Sequence, residues 1–141
     1  MTSINIAAVK TSTTSLLAKA AKMDTNKDGI LTGKELYAGK KTAGGDAAVQ
    51  AIYKLKDSMI GNQWPGAQGS RDVNVAYLKA AAAKGMKQLN AIDSYTGNKS
   101  THKPGNTKDG VITQAEITNY GPGGGHVQRF AAQVVWYQQN K

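Results

Sequence analysis

Residues 24–35 read Asp24-Thr25-Asn26-Lys27-Asp28-Gly29-Ile30-Leu31-Thr32-Gly33-Lys34-Glu35, and this stretch decides the fold. Oxygen-bearing side chains occupy its first, third, fifth and ninth places, and a glutamate occupies the twelfth. The sixth place holds a glycine, which takes a positive φ at little cost and so permits a sharp turn. Ca²⁺ prefers six to eight oxygen ligands, and a loop of about 12 residues with this spacing can wrap around one ion. The spacing therefore predicts a Ca²⁺ site, and the alternative interpretation is an Asx-rich surface turn.

The same stretch resembles the loop of the EF-hand calcium-binding proteins. The resemblance rests on the spacing of the acidic and amide side chains, on Gly29 and on the aliphatic Leu31 at the eighth place. It implies a helix on either side of the loop and a bidentate Glu35. The ligands that it implies are the side chains of Asp24, Asn26, Asp28, Thr32 and Glu35 and the backbone carbonyl of Ile30.

A second region repeats this pattern with an insertion. Ile92-Asp93 repeats Met23-Asp24, and residues 108–116 repeat residues 27–35. The aspartates at the first and fifth places of the loop are 16 positions apart in this region and 4 positions apart in the first. We therefore predict 12 extra residues within residues 94–106. Loop-closure entropy grows slowly with length and tolerates such an insertion, although we expect weaker preorganisation and weaker binding. The predicted ligands of a second Ca²⁺ are Asp93, Thr107, Asp109, Val111 through its carbonyl, Thr113 and Glu116.

Two questions about the second region stay open at this point. Asn106 and Asn98 are alternatives to Thr107 for the third-place oxygen. The region as a whole can also be a metal-free partner that is kept for packing. The resemblance implies that two such loops pair through their eighth residues, which places Leu31 opposite Ile112 in a two-residue antiparallel β-bridge.

The predicted fold class is all-α: an EF-hand-like helix-loop-helix pair with additional packing helices, about six helices in total. Residues 1–11 show no clear period and are predicted to form a flexible N-terminal arm, whereas residues 12–141 are predicted to form a single domain. Helical spacing predicts an entering helix from Ser12 or Thr13, an exiting helix from Glu35, a helix capped by Asp46 and a long helix from Asp72 to about Ile92. A short helix is predicted from Glu116, and a long last helix is predicted after the glycines at 123–125. The predicted inner faces of the two long later helices are Val75, Leu78, Ala82, Gly85, Leu89 and Ile92, and Val127, Phe130, Ala131, Val134 and Tyr137.

The charge balance is unusual for a calcium-binding protein. The chain has 18 Lys and Arg against 9 Asp and Glu, a formal net charge of +9. Six of the nine acidic residues lie in the two predicted loops, so the rest of the chain is strongly basic. Such a field favours an anionic partner, for example an acidic protein, a polyanion or a membrane surface. Lysines spread over helix faces for solubility are the alternative.

Composition also narrows the function. The chain has no cysteine and only two histidines, and no nucleophile–base pair stands out, so we expect no enzyme. We expect a calcium sensor, buffer or calcium-stabilised interaction module; the alternative is a basic polyanion-, membrane- or partner-binding module in which calcium is structural only. No specific nucleic-acid motif and no transmembrane segment is expected. Lys10 and the Thr/Ser run after it interrupt any signal-peptide core, so we expect a cytoplasmic protein or export without a Sec-type signal.

Overall fold

A computed structural model of the chain describes residues 3–55, 72–97, 105–120 and 124–141, without the side chains of residues 124–126. Six helices and two short antiparallel strand pairs make up this described part, which confirms the predicted, mostly α-helical fold class. The elements in chain order are β1 (Ser3–Asn5), α1 (Ile6–Met23), β2 (Ile30–Leu31), α2 (Gly33–Lys40), α3 (Gly45–Leu55), β3 (Val73–Asn74), α4 (Val75–Asp93), β4 (Val111–Thr113), α5 (Gln114–Tyr120) and α6 (Gly124–Asn140).

Residues 3–11 form a strand and the start of a helix in place of the predicted flexible arm. Residues 3–5 form strand β1, and helix α1 begins at Ile6 instead of at Ser12 or Thr13. The Asn5 side chain caps the helix by accepting a hydrogen bond from the N–H of Ala8 at 3.0 Å. Ile4 and Val9 are 3% and 0% exposed, so this segment belongs to the hydrophobic core.

Helix α4 begins in the same way as helix α1, with a short strand followed directly by a helix that an asparagine caps. Val73–Asn74 form a short strand, and the Asn74 side chain accepts hydrogen bonds from the N–H groups of Ala76 and Tyr77. Asn74 is therefore the cap, whereas Asp72, the predicted start of this helix, accepts a hydrogen bond from the N–H of Gly33 at 3.2 Å. The molecule thus contains two strand–helix–loop–strand–helix units.

The strands of the two units pair reciprocally, and the predicted Leu31–Ile112 bridge is wrong. Leu31 of β2 lies opposite Val73 of β3, the strand that precedes the second entering helix. Ile112 of β4 lies opposite Ile4 of β1, the strand that precedes the first entering helix. All four side chains are at most 3% exposed. Each loop is therefore joined to the start of the other unit instead of to the other loop.

The core lies between α1, α3, α4 and α6. Helix α6 packs against α1, α3 and α4, and α1 also packs against α4. The predicted inner faces of α4 and α6 are buried as expected. Gly85 of α4 permits close approach, because a Cβ there would lie 2.7 Å from the ring of Phe130. The two units are consequently fixed around one shared core.

The short helices differ from prediction in their ends. Helix α2 begins at Gly33, two residues before the predicted start at Glu35, and α5 begins at Gln114, two residues before Glu116. The third helix starts at Gly45, one residue before the predicted cap. The predicted third-place alternative Asn98 lies outside the described residues. Within the described part, every helix is too short or too polar to cross a membrane.

Candidate metal centre

The first loop, residues 24–35, is held by the helices on either side of it. Asp24 is the C-terminal cap of α1 and is only 7% exposed. Glu35 lies in the first turn of α2, where it forms a capping box with Thr32: each side chain accepts a hydrogen bond from the other residue's backbone N–H. Gly29 makes the turn between the two halves with φ of 82°. The two helix ends therefore fix the first and last predicted ligands.

Three carboxylates meet inside this loop. One oxygen each from Asp24, Asp28 and Glu35 lie within 4.8 Å of one another. No lysine or arginine of the described chain forms an ion pair with any of the three. Carboxylates this close repel one another when ionised, and a bound cation removes that repulsion. The cluster is able to hold a metal ion.

Hydrogen bonds within the loop account for all but one of the buried carboxylate oxygens. Asp24 Oδ2 accepts a hydrogen bond from the N–H of Gly29 at 2.8 Å, whereas Asp24 Oδ1 is buried and has no hydrogen-bond partner. A buried oxygen of a charged group is costly to leave without a partner, and a cation bound at this place would satisfy it. The residues therefore fit a cation at this position.

Glu35 ties both ends of the loop together. Its Oε2 accepts from the N–H and hydroxyl of Thr25 at 2.9 and 3.2 Å, and its Oε1 accepts from the N–H and hydroxyl of Thr32 at 3.1 and 3.2 Å. Hydrogen bonding from the Thr32 N–H lowers the pKa of Glu35 below its ordinary value of 4.5; burial opposes this shift, and the Thr25 groups add to it. Glu35 is thus held as a carboxylate.

The remaining predicted ligands line the same loop. Asn26 Oδ1 accepts from the N–H of Asp28 at 3.3 Å, and Asp28 Oδ1 accepts from the N–H of Ile30 at 2.9 Å. Thr32 uses its hydroxyl to accept from the N–H of Glu35 and so serves as a helix cap. The predicted carbonyl ligand, that of Ile30, lies in β2 opposite Asn74.

The second loop, residues 93–116 with its insertion, repeats this hydrogen-bond pattern. Asp93 is 4% exposed; its Oδ2 accepts from the N–H of Gly110 at 2.9 Å, and its Oδ1 is buried without a partner, as at Asp24. Asp109 Oδ1 accepts from the N–H of Val111 at 3.0 Å, and Glu116 Oε1 accepts from the N–H of Thr113 at 3.0 Å. The second loop therefore repeats these hydrogen bonds of the first loop at corresponding residues.

The insertion is closed at its base. The N–H of Asn106 donates to the carbonyl of Tyr95 at 2.7 Å, and the Tyr95 ring meets the Tyr120 ring edge-on with centroids 5.6 Å apart. Because residues 95 and 106 lie side by side, the extra residues leave and rejoin the loop at nearly the same point. This explains how the loop pattern survives a 12-residue insertion.

The third place is where the two loops differ. The N–H of Thr107 donates to Glu116 Oε2 at 3.0 Å, the role that the second residue, Thr25, has in the first loop. Asn106 is engaged on both sides of its amide: Nδ2 donates to the carbonyls of Ile92 and Glu116, and Oδ1 accepts from Asn119. Of the two described candidates for the third place, Thr107 and Asn106, only Thr107 has a side-chain oxygen that takes part in no hydrogen bond within the described residues. Only the first loop gathers three carboxylates within 4.8 Å in the described part of the chain.

Sequence reasoning missed the strands that support the loops. The signal is a short repeat: Ile4-Asn5-Ile6 and Val73-Asn74-Val75 each end 18 residues before the first aspartate of a loop. In both units the residue after the asparagine donates its N–H to the glycine carbonyl of the opposite loop, Ile6 to Gly110 and Val75 to Gly29, at 2.9 Å.

Comparison of the chain with models of known families, with curated proteins and with solved structures gives no match.

Proposed function

We propose that the protein binds Ca²⁺ in the first loop and a second Ca²⁺ in the second loop, as an EF-hand-like calcium-binding protein. The observation that carries the proposal is the pair of buried, unpartnered oxygens, Asp24 Oδ1 and Asp93 Oδ1, at corresponding positions of the two loops. In the first loop the ligand atoms that lie within 4.8 Å of one another are carboxylate oxygens of Asp24, Asp28 and Glu35, a donor set that suits a hard cation.

The ion would act as a stabiliser of the fold. Both loops are tied through β2–β3 and β1–β4 to side chains of the core, so binding free energy gained in a loop adds to the stability of both units. On this proposal the protein is a calcium-stabilised interaction module.

Calorimetric titration of calcium-free protein with Ca²⁺ tests the proposal. Glu35→Gln removes one carboxylate and should weaken the first site by about 100-fold or more, since even outer-shell changes at metal sites cost about 10- to 100-fold. Asp46→Asn is the matched control, because it removes an exposed carboxylate whose described ion pair is with Lys40, outside both loops. Two binding events in the wild type and in the control, and one in Glu35→Gln, are expected. An unchanged Ca²⁺ affinity in Glu35→Gln would falsify the proposal.

A second candidate function follows from the basic scaffold. Lys79, Lys84 and Lys87 are exposed on α4, and no ion pair of theirs is found within the described residues. A polyanion-binding module in which calcium is structural fits this face. Binding to DNA, heparin and anionic vesicles, measured with and without Ca²⁺ at rising salt, tests it, and absence of salt-sensitive binding removes it.

A further inference from the structure

Beside the first loop, a cavity of about 300 Å³ opens between the end of α1 and helix α2. Its apolar lining includes Met23, Ala38 and Gly39. Gly39 lets the two helices approach, because a Cβ at this position would lie 2.7 Å from Met23 Cγ. A volume of this size is at the lower end of pockets that bind small organic molecules.

Charged groups stand among the residues that line this cavity. Lys19 and Lys22 contribute two ammonium groups, and Glu35 contributes one carboxylate. Lys19 Nζ donates to Thr42 Oγ1 at 2.7 Å, and Lys22 forms no ion pair in the described part of the chain. The charged side chains of the lining sum to a formal +1, which suits a monoanion.

We propose that this cavity binds an aliphatic monocarboxylate, with its chain against Met23, Ala38 and Gly39 and its carboxylate between Lys19 and Lys22. An apolar lining with two ammonium groups complements an apolar chain that ends in one negative charge. Two lysines provide charge-assisted hydrogen bonds to the carboxylate oxygens.

The cavity is coupled to calcium through Glu35, and this step rests on the proposed function. Glu35 lines the cavity and belongs to the carboxylate cluster of the first loop. A bound Ca²⁺ offsets the repulsion between Glu35 and an anion in the cavity, so each ligand favours binding of the other. This coupling is electrostatic and needs no movement of the helices.

Octanoate is the probe, and octanol is its uncharged counterpart with the same chain length. Binding is followed by calorimetry and by ¹H–¹⁵N NMR shifts, and shifts are expected at Lys22, Met23 and Gly39. Octanoate should bind, octanol should bind at least about tenfold more weakly, and Ca²⁺ should tighten octanoate binding by about fivefold or more, the lower end of typical couplings. Equal binding of octanol and octanoate, or no binding of octanoate, overturns the proposal.

Three variants locate the site. Lys19→Met with Lys22→Met keeps the apolar stems and removes both charges, so octanoate affinity should fall by about tenfold or more. Ala38→Leu fills the cavity from an exposed helix position and should also weaken binding. Lys10→Met, an exposed lysine of α1 outside the cavity, is the control and should bind as the wild type does. Unchanged binding in the double variant, with its circular dichroism spectrum intact, overturns the proposal.

Failure of the two proposals can be told apart. If direct titration shows that the first loop takes up no Ca²⁺, the proposed function fails. The cavity proposal is still supported in that case if, in chelator, the wild type binds octanoate and the double lysine variant does not. If the loop binds Ca²⁺ but octanoate binds equally with and without it, the coupling through Glu35 is overturned.

Discussion

The backbone N–H of Val75 donates to the carbonyl oxygen of Gly29 at 2.9 Å. Val75 is the first residue of α4, the helix that enters the second loop, whereas Gly29 is the turn residue of the first loop. The bond extends the β2–β3 pairing by one residue and joins the two units. Helix α4 is thereby anchored at its start to one loop and at its end to the other.

Val75→Pro removes the donor of this hydrogen bond and also replaces a buried valine side chain. Proline is accepted at the first position of a helix, and Asn74 before it has ψ of 116°, a conformation that proline permits. The variant loses one hydrogen bond, worth about 0.5–1.5 kcal/mol. We expect the Ca²⁺ affinity of the first loop to fall by roughly two- to tenfold, measured by calorimetry in an Asp93→Asn background that silences the second loop.

Ile6→Pro is the matched variant in the other unit. Ile6 is the first residue of α1 and donates to the Gly110 carbonyl at 2.9 Å, so its replacement should weaken the second loop in an Asp24→Asn background. If each proline instead weakens only the loop that its own helix enters, the reciprocal strand pairing does not control binding.

Part of this arrangement was readable from the sequence. The spacing of residues 24–35 located the loop, and the repeat of Lys-Asp-Gly after a longer interval located the second loop and its insertion. Helical periodicity found the buried faces of α4 and α6, because long amphipathic helices give many consistent positions. These features depend on local patterns.

The strands and the start of α1 were not readable in the same way. Strands of two or three residues give too few positions to show alternation, and their partners are distant in the chain. The run Thr11–Ser15 has low helix propensity, yet it is helical: Thr11, Ser12, Thr13 and Thr14 each donate a hydroxyl hydrogen bond to the carbonyl four residues earlier. Tertiary burial of Val9 and Leu16 outweighs the propensity.

The buried aspartates predict how stability responds to metal. Asp24→Asn keeps an oxygen for the Gly29 N–H but removes the negative charge from a site that is 7% exposed. In chelator we expect unchanged or higher thermal stability, because the variant no longer buries a charged carboxylate that has one oxygen, Oδ1, without a hydrogen-bond partner. In Ca²⁺ the variant should lack the stabilisation from the first loop. Thermal unfolding with Ca²⁺ and with chelator, followed by near-UV circular dichroism, measures both effects.

Asp93→Asn should behave in the same way through the second loop, and the double variant should not respond to Ca²⁺ at all. A Ca²⁺-dependent rise in melting temperature that persists in the double variant would show that the ion acts elsewhere.

Substitution of Asn106 tests whether this residue stabilises the second loop or serves as a Ca²⁺ ligand. Its Nδ2 donates to the carbonyls of Ile92 and Glu116 at 2.6 and 3.2 Å. Asn106→Asp replaces this donor with an acceptor facing two carbonyls, so we expect a loss of about 2–3 kcal/mol in the free energy of urea unfolding. If Asn106 were instead a Ca²⁺ ligand, the added carboxylate of Asn106→Asp would tighten Ca²⁺ binding by the second loop.

Thr107→Ala should leave unfolding in chelator nearly unchanged and weaken only Ca²⁺ binding.

Two helical glycines that both approach a side chain should respond differently to alanine. A Cβ at Gly85 would lie 2.7–3.0 Å from ring atoms of Phe130, which is 1% exposed, whereas a Cβ at Gly39 would lie 2.7–3.2 Å from Cγ, Sδ and Cε of Met23, an unbranched side chain that is 4% exposed. Alanine gains about 1 kcal/mol in helix propensity at either site, and overpacking costs about 1–3 kcal/mol where the neighbour cannot move.

We therefore expect Gly85→Ala to lower the free energy of urea unfolding by up to about 2 kcal/mol and Gly39→Ala to be close to neutral, because a thioether adjusts more easily than a buried ring. Phe130→Leu is destabilising alone, but it should cost less in the Gly85→Ala background, since the smaller side chain relieves the contact. Strictly additive effects of Gly85→Ala and Phe130→Leu would contradict a direct contact between α4 and α6 at this point.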